Sequence, residues 1–148
     1  MSEKLSTLEP DTTVSVAIVY DSGSRGYPAL SGRTRVLADA VAKGARMVKG
    51  TAVTLIPVAD RASHWEVLDA ADAIVFGCPI YMGSAALKAF MEETIQPQFL
   101  EQRWKDKLAA GFTNSAGMSG DKLLALQQLA VFAAQHGVIW ITLGQLLG

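Results

Sequence analysis

Apolar residues in this chain fall into short, nearly continuous runs, separated by longer segments of mixed polarity. Five runs predict strands, at residues 14–20, 52–56, 73–76, 107–113 and 138–142. Runs of this length that are apolar at almost every position are typical of strands buried on both faces of a sheet.

The intervening segments show helical spacing. Segment 34–48 predicts an amphipathic helix, and the apolar stripe that we expect it to bury is Val36, Leu37, Ala40, Val41, Ala45 and Val48. Segment 85–95 predicts a helix that ends before a proline, with Leu87, Phe90, Met91, Thr94 and Ile95 on one face. Segment 122–135, which Asp121 can cap, is apolar nearly all round, and a weak short helix is expected at 65–68.

Strands that alternate with helices predict an α/β fold with a parallel sheet and right-handed crossovers. The spacing fits a doubly wound five-stranded sheet with strand order 2-1-3-4-5. With 148 residues, the chain is long enough for one domain, which we place at 14–148 after a polar, flexible leader at 1–13.

Composition excludes several classes of protein. The net charge is −1 and no basic cluster is visible, which argues against nucleic-acid binding. The single cysteine, Cys78, excludes an internal disulfide and a cysteine-based metal site, and no metal is expected. No apolar run is long enough to span a membrane and no signal-peptide core is present, so we expect a soluble cytoplasmic protein.

Three segments that follow predicted strands are rich in Gly, Ser, Thr or Asn: 21–33, 78–83 and 114–120. In an open parallel sheet, the loops at the carboxyl ends of the strands form the ligand site. The sequence therefore predicts a small-molecule site at that edge, although Gly- and Ser-rich segments also serve as plain connections.

Two of these segments resemble known cofactor loops. Tyr-Asp-Ser-Gly at 20–23, followed by Gly-Arg-Thr at 32–34, resembles the Tyr-x-Ser-x-x-Gly-x-Thr phosphate loop of flavodoxin-like FMN proteins, with an insertion around 25–31. Gly-Cys-Pro-Ile-Tyr-Met-Gly at 77–83 resembles the Gly-(Ser/Thr)-Pro-Thr-Tyr-x-Gly loop of WrbA-type NAD(P)H:quinone oxidoreductases and related NADPH-dependent FMN reductases. The resemblance covers about residues 14–143 and includes later segments at 112–115, 120–122 and 135–137.

The resemblance implies a flavodoxin-like fold and bound FMN. The residues expected to hold the phosphate are Ser22, Ser24, Gly32, Arg33 and Thr34. Arg33 either neutralises charge there or is an ordinary surface arginine. The residues expected along the isoalloxazine ring are Pro79, Ile80, Tyr81, Met82, Gly83, Thr113, Asn114, Ser115, Ala116 and Gly117. Tyr81 or Trp104 would supply a stacking wall, with a core or lid position the alternative for Trp104.

His136 and Cys78 are two further candidates. The family histidine that matches His136 lies near the flavin, which makes His136 a catalytic candidate, but a histidine at the end of a helix also interacts with the helix dipole. The two roles stay open. Cys78 is expected to be a small buried side chain rather than a redox thiol.

The function implied by the resemblance is an FMN-dependent oxidoreductase that accepts a hydride from NAD(P)H at flavin N5 and releases two electrons to a quinone-like acceptor. The alternatives are a flavodoxin-type electron carrier and a degenerate homologue that no longer holds flavin. We also expect a homo-oligomer, dimer or tetramer. The resemblance implies a final helix after the fifth strand, for which residues 142–148 are too short; we expect an omitted segment, and a covering subunit is the alternative.

Overall fold

A single sheet organises the molecule. The structure, a computed structural model, describes residues 13–23, 32–81, 84–85, 87–118 and 121–144. Within these ranges the parallel strands are β1 (Val14–Tyr20), β2 (Thr51–Pro57), β3 (Ala73–Tyr81), β4 (Leu108–Asn114) and β5 (Ile139–Trp140). They are ordered β2-β1-β3-β4-β5, so the predicted order and the flavodoxin-like fold are confirmed.

Helices connect these strands. They are α1 (Arg33–Arg46), α2 (Trp65–Ala70), α3 (Lys88–Glu93) and α4 (Lys122–Gln135), with a 3₁₀ turn at Val58–Ser63 and a wider helical turn at Ile95–Phe99. A two-residue strand, Ser84–Ala85, pairs antiparallel with the end of β3, and α3 therefore begins later than the sequence predicts. None of the described helices is long and apolar enough to cross a membrane.

Apolar side chains pack on both faces of the sheet. On one face an aromatic cluster is formed by Phe76, Phe90, Trp104 and Phe132, and the rings of Phe76 and Phe132 meet edge to face with centroids 5.4 Å apart. On the other face, α1 covers Ile18 and the ring of Tyr20. Two covered faces explain why the strands are apolar at nearly every position.

The central strand β3 is longer than predicted. Its sequence predicts a strand at 73–76 and then a loop, whereas the strand continues to Tyr81. The reason is tertiary: Cys78 and Pro79 pair in register with Thr113 and Asn114 of β4. Pairing with β1 stops at Gly77, so Pro79 lies where β3 is open on one side, and such positions tolerate a residue without an N–H.

Helix α1 buries only part of the predicted stripe. Leu37, Val41 and Ala45 are partly buried, and Val41 packs against the core, but Val36 is 71% exposed and Val48 is 62% exposed. The fully buried residues are Thr34, Ala38 and Ala42, whose small side chains lie closest to the sheet. Ile95 was also expected to be buried and is exposed, because α3 ends at Glu93 and the backbone at residue 96 is not helical.

Beside α1, part of the sheet is uncovered among the described residues. Leu108 and Ile139 are neighbours in register on the α1 face, and both are exposed, as is Ile141. The predicted fifth strand at 138–142 is reduced to Ile139–Trp140. The expected leader lies almost wholly outside the described residues.

Candidate flavin site at the carboxyl edge of the sheet

The three Gly- and Ser-rich segments leave the sheet at one level. Tyr20 of β1, Gly77 of β3 and Phe112 of β4 are neighbours in register. The Asp21 N–H continues the ladder with a 2.9 Å hydrogen bond to the Gly77 carbonyl. A Cβ at Gly77 would lie 2.0 Å from Cζ of Phe112, so only glycine fits under that ring. The segments after β1, β3 and β4 are therefore brought together, as the topology of a parallel sheet requires.

The first segment closes on itself before α1 begins. The N–H of Gly32 donates to the carbonyl of Ser22 at 3.1 Å, and the N–H of Arg35 donates to Ser22 Oγ at 3.0 Å. Gly32 has φ +89°, a left-handed conformation that glycine adopts without strain. The insertion that separates Ser22 from the Gly-x-Thr motif therefore does not separate them in space. We call the Ser22–Gly32–Arg35 contact the neck.

The neck leaves two donors at the start of α1. The N–H groups of Arg33 and Thr34 belong to the first helical turn, which has no intrahelical acceptors, and the described residues supply no other acceptor for them. Their direction along the helix axis favours an anion, because the amino end of a helix carries a partial positive charge. This arrangement fits the phosphate end of FMN.

Thr34 links the first segment to the third. Its side chain is buried, and Oγ1 donates to Oδ1 of Asn114 at 2.8 Å. One residue earlier in β4, Thr113 Oγ1 donates to the Cys78 carbonyl at 2.8 Å. These two hydroxyls join α1, β4 and β3 where their ends meet. Cys78 is fully buried, as the sequence predicts.

The third segment is held by a lysine that the sequence analysis did not single out. Lys122 Nζ donates to the carbonyls of Gly117 and Met118 at 2.8 and 3.0 Å, and Ser115 Oγ donates to the Gly117 carbonyl at 2.8 Å. The sequence feature that could have pointed to Lys122 is the Gly-Asp-Lys segment at 120–122, which is part of the family resemblance. Asp121 stands at the N-cap of α4, but its side chain makes no capping hydrogen bond, contrary to expectation.

The second segment is described mainly by its backbone. Pro79 is buried and Ile80 is partly buried, and the backbones of Ile80 and Tyr81 pair with the short strand Ser84–Ala85. Ser24, Met82 and Gly83 lie outside the described residues. Ala116 and Gly117 are exposed at the same edge.

Charge around the first segment is mixed. Arg33 is exposed, and Arg35 lies 6.0 Å from the centre of the Tyr20 ring and pairs with Asp39 at 3.4 Å. Burial raises the pKa of the Tyr20 hydroxyl, which is therefore neutral at physiological pH. A concavity of about 510 Å³ adjoins this segment on the side of β2. Among the described residues, no group of His, Cys, Asp or Glu could hold a metal ion.

Two candidates lie away from these segments. His136 follows α4 and Trp104 precedes β4, so both lie near the amino ends of the strands, at the opposite edge of the sheet. Trp104 is fully buried and donates its indole N–H to Asp69 Oδ1 at 2.8 Å. Of the two positions expected for Trp104, it therefore occupies the one in the core and not the one beside a flavin. His136 is buried, with Nδ1 3.0 Å from the Phe132 carbonyl. Neither side chain makes a hydrogen bond or ring contact with the described residues of the three segments.

The chain was next compared with known proteins. Residues 25–147 match the model of the family described as NADPH-dependent FMN reductase. The chain belongs to this family. The match includes the second and third segments of the candidate site in full. It includes the first segment from residue 25 onward, together with α1.

The proteins that this chain resembles are described either as flavodoxins or as oxidoreductases. Flavodoxin FldP from Pseudomonas aeruginosa (strain UCBPP-PA14) is 40% identical over 131 residues, and the match spans 86% of this chain and 65% of that protein. The crystal structure of a flavodoxin, WrbA-like protein from Agrobacterium tumefaciens is 39% identical with a TM-score of 0.75, covering 89% of this chain and 79% of that one. An NADH:FMN oxidoreductase solved in its apo form is 25% identical with a TM-score of 0.69, covering 88% and 73%.

Proposed function

We propose that this protein binds FMN at the carboxyl edge of its sheet and passes electrons from NAD(P)H to a quinone-like acceptor. The observation that supports the proposal is the neck, which joins the two parts of the motif across the insertion and leaves the N–H groups of Arg33 and Thr34 with no acceptor among the described residues. Membership of the NADPH-dependent FMN reductase family supports both the cofactor and the reductant.

The residues of this chain would bind and orient the cofactor. FMN, when bound, supplies a centre that takes electrons from a nicotinamide and gives them to an acceptor. The first turn of α1 and the hydroxyl groups of Ser22 and Thr34 would hold the phosphate, and the backbone at 79–81 and 113–117 would hydrogen-bond the polar edge of the ring. Lys122 would keep the third segment in place by its two bonds to carbonyl groups.

A flavodoxin-type electron carrier is the second candidate, and the observation that favours it is the 40% identity to a protein named Flavodoxin FldP. A carrier receives its electrons from a separate reductase, whereas an FMN reductase reacts with the nicotinamide directly. Carriers that dock through a strongly acidic surface differ from this chain, whose net charge is −1.

Two measurements test the proposal. Titration with FMN should quench flavin fluorescence, and NADH or NADPH should then bleach the visible flavin band, with benzoquinone restoring it over many turnovers. A flavin that only an added reductase can reduce would establish the carrier. If saturating protein leaves FMN fluorescence unchanged, the chain does not hold flavin and both candidates fail.

A further inference from the structure

The cavity of about 510 Å³ on the side of β2 begins at the neck. Its lining includes Ser22, Gly32 and Arg35, which form the neck, and it continues along the end of β2 and the 3₁₀ turn, at 57–59 and 61. Its volume lies within the roughly 300–1,000 Å³ of cavities that hold small-molecule ligands. The groups proposed above to hold FMN reach the neck but leave the rest of this cavity unassigned.

The first turn of α1 has the candidate ring site on one side and this cavity on the other. Thr34 is turned towards β4, where its Oγ1 donates to Asn114 Oδ1 at 2.8 Å. The next side chain, Arg35, is turned towards the cavity, with its guanidinium carbon 6.0 Å from the centre of the Tyr20 ring. An anion at the N–H groups of Arg33 and Thr34 would therefore stand between the ring site and the cavity.

The fold holds the guanidinium group of Arg35 loosely. Its ion pair with Asp39 is a single 3.4 Å contact between side chains that are 58% and 50% exposed. Ion pairs of this kind, one helical turn apart and open to solvent, contribute little to stability. The guanidinium group can therefore turn to a phosphate in the cavity at small cost, and its planar shape suits two phosphate oxygens at once.

The wall formed by β2 and the 3₁₀ turn offers a flat surface rather than a free charge. Arg61 Nε donates to Glu93 Oε2 at 2.6 Å, and its Nη1 donates to the Val58 carbonyl at 2.9 Å. These bonds fix the plane of the guanidinium group and pair its charge. Pro57 and Val58 beside it are apolar. A fixed guanidinium plane next to apolar side chains is a surface on which an aromatic base can stack.

We propose that this cavity holds the adenosine monophosphate half of FAD, so that the protein binds FAD as well as FMN. The inference rests on the proposed function, because it requires a flavin phosphate at the first turn of α1. In FAD that phosphate is joined to a second phosphate, which Arg35 would bind, and then to ribose and adenine, which the wall at 57–61 would contact. A dinucleotide is favoured over a separate ligand because the cavity and the phosphate turn share the neck.

Isothermal titration calorimetry of the flavin-free full chain with FMN and with FAD tests this proposal. We expect FAD to bind at least as tightly as FMN, because the added contacts offset the cost of ordering a longer ligand. A protein that binds FMN and holds FAD more weakly overturns this proposal alone. A protein that binds neither flavin overturns the proposed function together with it.

Arg35→Gln keeps the backbone N–H that forms the neck and removes the charge from the cavity. It should weaken FAD binding by about tenfold, the loss expected for a hydrogen bond to a charged group, and FMN binding much less. Arg46→Gln is the matched control at the other end of α1, where Arg46 Nη2 donates to the Val53 carbonyl, and it should change neither affinity. Equal losses of FAD and FMN in Arg35→Gln would place this side chain on the flavin phosphate and overturn the assignment.

A steric variant tests the cavity without changing a charge. Ala59 lines the cavity and is exposed, so Ala59→Phe fills the space without disturbing the core. FAD affinity should fall by about tenfold or more while FMN affinity stays within about twofold, because only the longer ligand meets the added ring. Ala62→Phe is the control, since Ala62 is exposed in the same 3₁₀ turn and lies outside the cavity lining. An unchanged FAD affinity in Ala59→Phe would place the adenosine outside the cavity and overturn the proposal.

Discussion

The two edges of the sheet are held together in opposite ways. At the amino edge, Trp104, Phe132 and His136 pack ring against ring, with the Trp104 and His136 ring centres 5.0 Å apart. Beneath them Asp69 accepts hydrogen bonds from Trp104, Gln98 and Arg103, and Lys107 Nζ donates to the carbonyls of Asp69 and Ala71. At the carboxyl edge, scattered hydrogen bonds from hydroxyl and amide groups and from the Lys122 ammonium group hold the segments that follow the strands.

The two edges of the sheet differ in what they contribute: the amino edge contributes mainly to folding stability, and the carboxyl edge offers groups that can bind a ligand. The packed edge buries apolar surface and pairs most of its polar groups within the chain, although Gln98 Oε1 and His136 Nε2 have no hydrogen-bond partner among the described residues. At the other edge, the N–H groups of Arg33 and Thr34 have no acceptor among the described residues, and they offer two donors to an anion. Variants at the two edges should therefore have different consequences.

The largest effect on folding is expected from Trp104→Ala. Removing a buried aromatic side chain costs about 3–5 kcal/mol, because the transfer free energy is lost and a cavity remains. Equilibrium unfolding in urea measures the loss. Trp104→Phe is the control, since it keeps most of the volume and leaves Asp69 with its other donors, and it should cost much less. FMN affinity of the folded fraction should not change; a loss of affinity in Trp104→Phe would contradict the separation of the two edges.

The largest effect on binding is expected from Thr34→Val. A hydrogen bond to a charged group contributes roughly 1.5–3 kcal/mol, so FMN should bind about tenfold more weakly or worse while riboflavin, which lacks the phosphate, is little affected. Fluorescence titration with both ligands gives the ratio. The Thr34 hydroxyl has one proton, which it donates here to Asn114. A selective loss of FMN affinity would therefore also indicate that this hydroxyl donates to the phosphate when FMN is bound.

Thr113→Val is the matched control for Thr34→Val. It also removes a hydroxyl bonded within the site, but that hydroxyl donates to the Cys78 carbonyl at the level of the ring. Thr113→Val should weaken the binding of FMN and of riboflavin by the same factor. Equal losses of the two ligands in Thr34→Val would instead place the phosphate elsewhere.

A smaller effect is expected from Ser22→Ala, which removes the acceptor for the Arg35 N–H. Loss of a hydroxyl that accepts from the first turn of a helix typically costs about 0.5–2 kcal/mol. Thermal unfolding should show the difference, with Ser63→Ala as control because the Ser63 hydroxyl bonds a carbonyl in an exposed turn. If the two variants are equally stable, the neck does not support α1.

The smallest effect concerns pH. Burial lowers the pKa of His136, against a weaker opposing influence of the Phe132 and Thr94 carbonyls. The unfolded chain therefore binds a proton at this residue more readily than the folded one, and stability falls as pH drops below the ordinary histidine pKa of about 6.5. Urea unfolding between pH 8 and pH 5 should show this slope. His136→Phe should flatten it, and an unchanged slope in His136→Phe would assign it to other groups.

The strand order was predictable because each strand is an apolar run and the alternation with helices admits few topologies. The extension of β3 through Gly77 and Pro79 was not, because both residues locally favour a turn and the pairing with β4 that overrides them is a tertiary contact. The buried stripe of α1 was predicted only in part, for a related reason. Hydrophobicity favours Val36 over Ala38, whereas close packing against a sheet favours the smaller side chain.

The candidate site was predictable as far as its segments, and less so in its connections. Motif resemblance singled out Ser22, Thr34 and Asn114 as candidates, but it did not predict the hydrogen bond between Thr34 and Asn114, which joins residues 80 positions apart. The roles of Lys122 and the neck depend on which carbonyls and N–H groups meet in space. His136 and Trp104 were expected near the flavin because of their residue types and, for His136, its match to a family histidine. Their place at the other edge of the sheet follows from the direction of α4 and β4, which the motifs do not give.

The neck also separates the length of the segment between Ser22 and Gly32 from the position of the first turn of α1. The chain leaves at Ser22 and returns at Gly32 across one backbone hydrogen bond, so residues added between these points add the entropy of closing a longer loop. That cost grows slowly, by about 0.6 kcal/mol for each doubling of length. Evolution or design can therefore change the length of this stretch while the first turn of α1 keeps its contact with Ser22. If the turn binds a phosphate, as proposed, that binding tolerates changes in the length of the insertion.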